Sequence, residues 1–174
     1  PHTMNDDCLS QERNLDWFEF LKKDFVQGFT AFVGFEVTRA EYGMFESCLK
    51  ILNEHRQQDG FVHAGVIAAI ADHTSGYASF TTVPEKFRIL TIEFKINFFK
   101  PATGPLIVCR SRVINNGRKI KVGESQVFSV SNGTEKLVAK GMFTHMAVPS
   151  EEVQGSSGLP GKKEPQGASR QQDP

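Results

Sequence analysis

The stretch Phe61–Phe80, FVHAGVIAAIADHTSGYASF, is long, rich in alanine and apolar on nearly every side. A helix that is apolar all round is a buried one, so this segment predicts the central helix of the fold. One residue does not suit a core, and it is Asp72. Ionised carboxylates are almost never fully buried without partners, because desolvation is costly. Gly65, Ala68, Ala69, Asp72, Ser75, Gly76 and Ser79 recur at steps of three and four. They make one stripe of small residues with a carboxylate at its centre. Val66, Ile67, Ile70, Tyr77 and Phe80 take the other faces. Small residues admit a ligand or another backbone, so Asp72 is a candidate base or nucleophile. Two plainer roles stand beside that one. Asp72 caps a neighbouring segment or pairs with an arginine, and the stripe is a tight dimer seam.

The helix opens at His63-Ala64-Gly65. Its first backbone N–H groups lack intrahelical acceptors, and the macrodipole adds partial positive charge there. Small side chains at 64 and 65 leave those amides open to an oxygen that gains charge during a reaction. Asp72 lies seven residues on, about 10 Å along the axis at 1.5 Å per residue. One helix does not easily present both groups to one reacting centre. A symmetric dimer does, by facing the helix start of one subunit with Asp72 of the other. His63 itself more often satisfies local hydrogen bonds than does chemistry at such a position.

Outward from this helix the texture changes. Leu9–Phe25 carries Leu15, Phe18, Leu21 and Phe25 at helical spacing, with Ser10 a fair N-cap. It either covers a substrate tunnel as a lid or, more ordinarily, packs on the sheet or a dimer interface. Phe32–Thr38 and Met44–Leu52 alternate around Tyr42-Gly43 as a hairpin. After the helix come strand-like runs at Ile89–Phe99, Leu106–Ile114, Lys119–Val130 and Lys136–Val148. Asn116-Gly117 and Asn132-Gly133 are strong hairpin signals between them. The expectation is an α+β domain over 9–148: a six-stranded antiparallel meander around one helix. Residues 1–8 read as a tag remnant and flexible start. Residues 149–174, rich in Gly, Pro, Ser, Gln and charge, read as a disordered tail.

Composition excludes several classes. Twenty basic residues balance twenty acidic ones, so no net positive field draws a nucleic acid. No run approaches the roughly 18 apolar residues of a membrane span, and the polar start lacks a secretory signal. Cys8, Cys48 and Cys109 are few and far apart, which suits reduced thiols and a cytoplasmic location. His2, His55, His63, His73 and His145 are scattered without ligand spacing, so no metal site is expected.

Three segments in order, HAGVIAAIADHTSGYA, LTIEFKINFFKPATG and VINNGRKIKVGESQVF, resemble the hotdog-fold acyl-CoA thioesterases of the phenylacetate-degradation type. The resemblance covers about residues 30 to 148. It implies a hotdog fold of five to six antiparallel strands wrapped around the central helix. It also implies homodimers, often paired as dimers of dimers, and hydrolysis of an acyl-CoA thioester. The family's acidic residue falls on Asp72, to activate water or attack the carbonyl. The glycine whose amide region polarises that carbonyl falls on Gly65, and the motif histidine on His63. Ala64 replaces the other motif glycine, a departure that keeps the amide but adds a methyl group. The family's carboxamide falls on Gln57, and its strand hydroxyl on Thr91. The Gly-Arg turn near the coenzyme falls on Asn116, Gly117, Arg118 and Lys119. Bare amides plus Arg118 and Lys119 suit phosphates, although such a turn is commonly just a solvated hairpin tip. Coenzyme A would be part of the substrate, with no separate cofactor. A non-catalytic acyl-CoA binder on the same fold is the alternative, and a hydratase ranks below both.

Overall fold

The computed structural model describes residues 4–156, with side chains from 15 to 153. The chain runs α1 (Met4–Phe25), α2 (Phe29–Val33), β1 (Phe35–Glu41), β2 (Met44–Lys50), a short 3-10 turn (Asn53–His55) and α3 (Ala64–Phe80). Then follow β3 (Phe87–Phe98), β4 (Leu106–Asn116), β5 (Ile120–Ser131), β6 (Thr134–Pro149) and α4 (Ser150–Ser156). The six strands form one sheet in the order β1-β2-β4-β5-β6-β3, every pair antiparallel.

The central helix is as its composition predicts. Ile67, Ile70, Ala71, Thr74, Ser75, Ala78 and Ser79 are buried against the sheet. They meet Ile107, Cys109, Val127, Val138 and Phe143 from the inner faces of the strands. The alternation along β5 and β6 is what makes that inner face. At Gly123 the helix comes so close that a Cβ would sit 2.4 Å from Ser75 Oγ, so only glycine fits. Small hydroxyls stitch the contact. Ser47 meets Thr74 at 2.6 Å, and Ser125 Oγ donates to the Ala71 carbonyl at 2.8 Å.

α1 covers the other side of α3. Leu21 and Phe25 are fully buried. The Phe25 ring lies 5.2 Å from Phe45 and 4.3 Å from His73. Tyr77 Oη donates to Asp24 at 2.8 Å, and His73 Nε2 donates to the Phe25 carbonyl at 3.0 Å. This is ordinary docking of an amphipathic helix, the plainer of the two roles set out for it.

Four expectations need correction. The sheet is not a meander, because β3 lies beside β6 at the far edge and the chain returns across the sheet end to β4. Turn residues mark where strands end, not which strand becomes the neighbour. The strand expected from Phe32 starts at Phe35. Phe29–Val33 instead forms a single helical segment, pinned by Thr30 Oγ1 donating to the Phe25 carbonyl at 2.6 Å. At the chain start, α1 begins at Met4, not Leu9, so residues 4–8 are helical. Ser150–Ser156 extends the fold as α4, whereas the rest of the expected tail, 157–174, lies outside the described residues.

Candidate active site

The face of α3 that neither the sheet nor α1 covers carries Ala64 and Gly65, which are exposed, and Ala68, Ala69 and Asp72, which are half-buried. Ser75 and Ser79 do not belong to it. Both are fully buried toward β5 and β6, so the small-residue stripe divides into a sheet-facing part and an open part.

Asp72 sits midway along the open part. Its Oδ1 accepts a hydrogen bond from Thr91 Oγ1 at 2.9 Å. A β-bulge between Thr91 and Glu93 re-aims the strand at this point. Partial burial raises the Asp72 carboxyl above the ordinary carboxylate range, while the Thr91 bond and nearby His73 pull it partly back. Oδ2 has no partner among the described residues. The Thr91 hydroxyl thus bonds the Asp72 carboxylate directly, leaving one carboxylate oxygen able to hold a water.

The helix start differs from its expected state. The Gly65 N–H donates to His63 Nδ1 at 2.9 Å, so the amide is covered by a cap. His63 is therefore the N-cap, and a substrate oxygen reaches this amide only by displacing its ring. Val66 N–H bonds the His63 carbonyl at 3.0 Å, whereas Ala64 N–H has no partner among the described residues. Gln57 is drawn into its own turn. Its Oε1 accepts from the Asp59 N–H, and its backbone N–H bonds the Phe61 carbonyl. No contact joins Gln57 to Asp72 within the chain.

Around this helix start lies a cavity of about 390 Å³. It is lined by Phe29, Phe32, Val33, Leu52, Val66 and Ala69 together with Glu54, His55, His63 and Gly65.

The Asn116–Lys119 turn lies beyond the opposite end of α3. Asn116, Gly117 and Arg118 line a cavity of about 280 Å³ with Thr82, Val83, Pro84 and Phe87. Asn116 Nδ2 donates to Tyr42 Oη at 3.1 Å. The Lys119 carbonyl accepts from Ala147 N–H, which anchors the turn's far side. Thr82 follows the end of α3, whose last residue, Phe80, is about 12 Å along the axis from Asp72 at 1.5 Å per residue. Lys121 belongs to this cluster, and the sequence reading passed over it. It is buried, and its Nζ donates to Asn116 Oδ1 and to the Gly117 carbonyl. Burial lowers its pKa from the usual lysine value. The signal was available: the alternation Lys121, Gly123, Ser125, Val127 puts Lys121 on the inner face.

A second buried group lies behind Asp72. His145, fully buried, pairs across β3 with Thr91 and bonds Ser79 through Nδ1 at 3.1 Å. Its Nε2 and the Ser75 hydroxyl have no partner among the described protein groups. Burial pushes its pKa down to about 4. Among the described residues no three His, Cys, Asp or Glu side chains group as metal ligands, and no helix is long and apolar enough to cross a membrane.

Comparison with known proteins fixes what this arrangement belongs to. The sequence profile of the Thioesterase superfamily matches residues 59–136, from the turn ahead of α3 into β6. A chain from Saccharolobus solfataricus, named "Putative esterase SSO1253", is 32% identical over 65% of this chain and 73% of its own length. The chain belongs to the thioesterase superfamily. Within that superfamily, a 1,4-dihydroxy-2-naphthoyl-CoA hydrolase from Listeria monocytogenes is 22% identical over 61% of this chain and 84% of its own. The crystal structure of a thioesterase family protein from Silicibacter pomeroyi superposes with a TM-score of 0.73. It is 30% identical and covers 76% of this chain and 98% of that one. The structure of smu.793 from Streptococcus mutans, bound to acetyl-CoA, superposes with a TM-score of 0.59 at 26% identity, covering 67% and 90%. The superfamily's hotdog fold is thus the fold seen here: a six-stranded antiparallel sheet around α3.

Proposed function

We propose that this protein is an acyl-CoA thioesterase of the phenylacetate-degradation type, active as a homodimer or a dimer of dimers. The observation that carries the reading is Asp72. It is a half-buried carboxylate held by Thr91 on an otherwise small-residue face of the central helix.

The sheet edge supports the dimer. β3 is a twelve-residue edge strand, and its inward residues Phe94 and Phe98 are 44% and 47% exposed. A bare edge of that length is a pairing template. Antiparallel pairing of two β3 edges lays two α3 helices side by side, running in opposite directions. The open stripe of one then faces the helix start of the other, and a twofold axis makes two such sites.

Within each site the thioester carbonyl oxygen enters the first turn of α3 and takes the Gly65 amide from His63 Nδ1. The unpaired Ala64 amide adds a second donor. Asp72 of the other subunit takes a proton from water through Oδ2 while Thr91 fixes Oδ1. The water oxygen bonds to the carbonyl carbon, and the developing oxyanion is held by the helix-start amides. The C–S bond then breaks, and coenzyme A leaves as its thiol with the proton that Asp72 took. Gln57 stands beside the helix start and orients the acyl carbonyl once its turn opens. Asn116, Gly117, Arg118 and Lys119, with Lys121 bracing them, receive the phosphates of the coenzyme.

The test is thiol release from acetyl-, octanoyl-, palmitoyl- and phenylacetyl-CoA, with the matching ethyl oxoesters as controls. Turnover of at least one CoA ester, exceeding that of its oxoester, supports the reading. Tight binding of every CoA ester without turnover supports the alternative, a non-catalytic acyl-CoA binder.

A further inference from the structure

We infer that α2 is an aromatic flap that encloses the acyl group and selects chains of medium length. The inference rests on the thioesterase reading, because the cavity it closes is the one around the Gly65 amide.

Three observations converge. First, Phe32 is 89% exposed and Phe29 is 62% exposed, on a helix of five residues. Two phenyl rings left in water on adjacent turns lack the cover that apolar surface normally finds. Second, both rings border the 390 Å³ cavity that His63 and Gly65 also line. An acyl chain whose carbonyl lies at the helix start has this cavity as its nearest apolar volume. Val33, Leu52, Val66 and Ala69 add apolar lining, and Glu54, His55 and His63 supply its polar part. Third, the segment lies between two glycines at positive φ, Gly28 at 54° and Gly34 at 91°. A Cβ at Gly28 would meet nothing within 4 Å, so its role is conformational freedom, not close approach. Thr30 ties the middle of α2 to α1 through the Phe25 and Gln27 carbonyls. Thr30 therefore holds α2 in place with its two rings at the mouth of the cavity.

The cavity is partly open, and its volume gives the length of chain it can cover. At about 30 Å³ per water-sized group, the cavity takes about a dozen such groups. That suits about eight to twelve carbons or a ring-bearing acyl group. A sixteen-carbon chain overfills it, and an acetyl group leaves the phenyl rings uncovered.

Phe32→Ala and Phe29→Ala test this in the full chain. Both side chains are exposed, so the fold tolerates their loss. The first readout is kcat/KM for acetyl-, octanoyl- and palmitoyl-CoA. We expect an octanoyl optimum in the wild type and a loss of at least tenfold for octanoyl-CoA in Phe32→Ala. Acetyl-CoA should fall by less than threefold. The second readout is calorimetric binding of S-octyl-CoA, a thioether that no thioesterase cleaves. It should weaken by the same factor, with S-methyl-CoA little affected. Equal losses for short and medium chains would overturn the flap while leaving the thioesterase reading intact. Chain-dependent thioether binding without any hydrolysis would keep the flap and overturn the thioesterase. A change in oligomeric state in Phe32→Ala, with the chain-length profile kept, would place the ring at a subunit contact and also overturn the flap.

Discussion

Replacing His145 with Phe should change how stability depends on pH, and the structure gives the size of the change. The His145 ring is fully buried, and burial pushes its pKa from 6.5 down to about 4. Between those values the unfolded chain binds a proton that the folded chain refuses. Stability must therefore rise with pH across this window and be lost progressively as pH falls from about 6.5 to about 4. At about 1.36 kcal/mol per pH unit, a gap of about 2.5 units is worth about 3 kcal/mol. Phe at 145 keeps a flat ring stacked on Phe143, whose plane lies within 5° of the imidazole. It loses the Ser79 bond, worth about 1 kcal/mol. The variant should be about 1 kcal/mol less stable than wild type at pH 7.5 and about 2 kcal/mol more stable near pH 4. Urea unfolding at one fixed protein concentration, repeated across that range, reads both curves. Glu124 and Glu135, whose paired carboxyls also titrate in acid, are common to both proteins and cancel in the difference. Parallel curves that never cross would refute the reasoning, because His145 would then carry a proton inside the fold.

Other consequences are open to measurement. Thr91→Val removes the bond that favours ionised Asp72, so the acid limb of the kcat/KM profile should move to higher pH, and an unmoved limb would separate Asp72 from that limb. His63→Ala loses the cap on α3 and should cost about 1 kcal/mol in a denaturant melt. The same change uncovers the Gly65 amide, so kcat/KM should hold or rise, and a hundredfold fall would make His63 a catalytic group. Lys121→Met should loosen the Asn116–Gly117 turn and raise KM for acyl-CoA at least tenfold with kcat nearly kept; the same change seen with a short pantetheine thioester would argue against a phosphate site.

The fold was legible where one physical signal decided it. Alanine-rich apolar sequence can only be a buried helix, and Asn132-Gly133 between alternating runs can only be a tight hairpin, as β5 and β6 show. The neighbour of β3 was not legible, because strand pairing across the sheet depends on long-range contacts that no local pattern encodes. α2 was missed because Phe32 and Val33 look like the start of a strand, while Gly34 turns the chain and the strand starts three residues later, at Phe35. At the site, Asp72 announced itself as a charge among small residues; the resemblance pointed to the Thr91 hydroxyl, but its direct bond to Asp72 was not legible in the sequence. His63 takes the plainer role set out for it, a local hydrogen bond at the helix start, but that this bond covers the Gly65 amide was not legible in the sequence. Lys121 and His145 were hidden for a shared reason. Each sits on a strand whose inward alternation is readable, but charged and aromatic polar residues are normally assigned to the outer face.

The most direct test is turnover by Asp72→Asn on the best CoA ester, followed by released thiol, with coenzyme A affinity measured in parallel. Asparagine keeps the shape and the Thr91 contact but accepts no proton from water. The account predicts a fall in kcat of at least about a hundredfold, the usual scale for losing a general base, with coenzyme affinity preserved. A variant that hydrolyses the ester within threefold of wild type would contradict it.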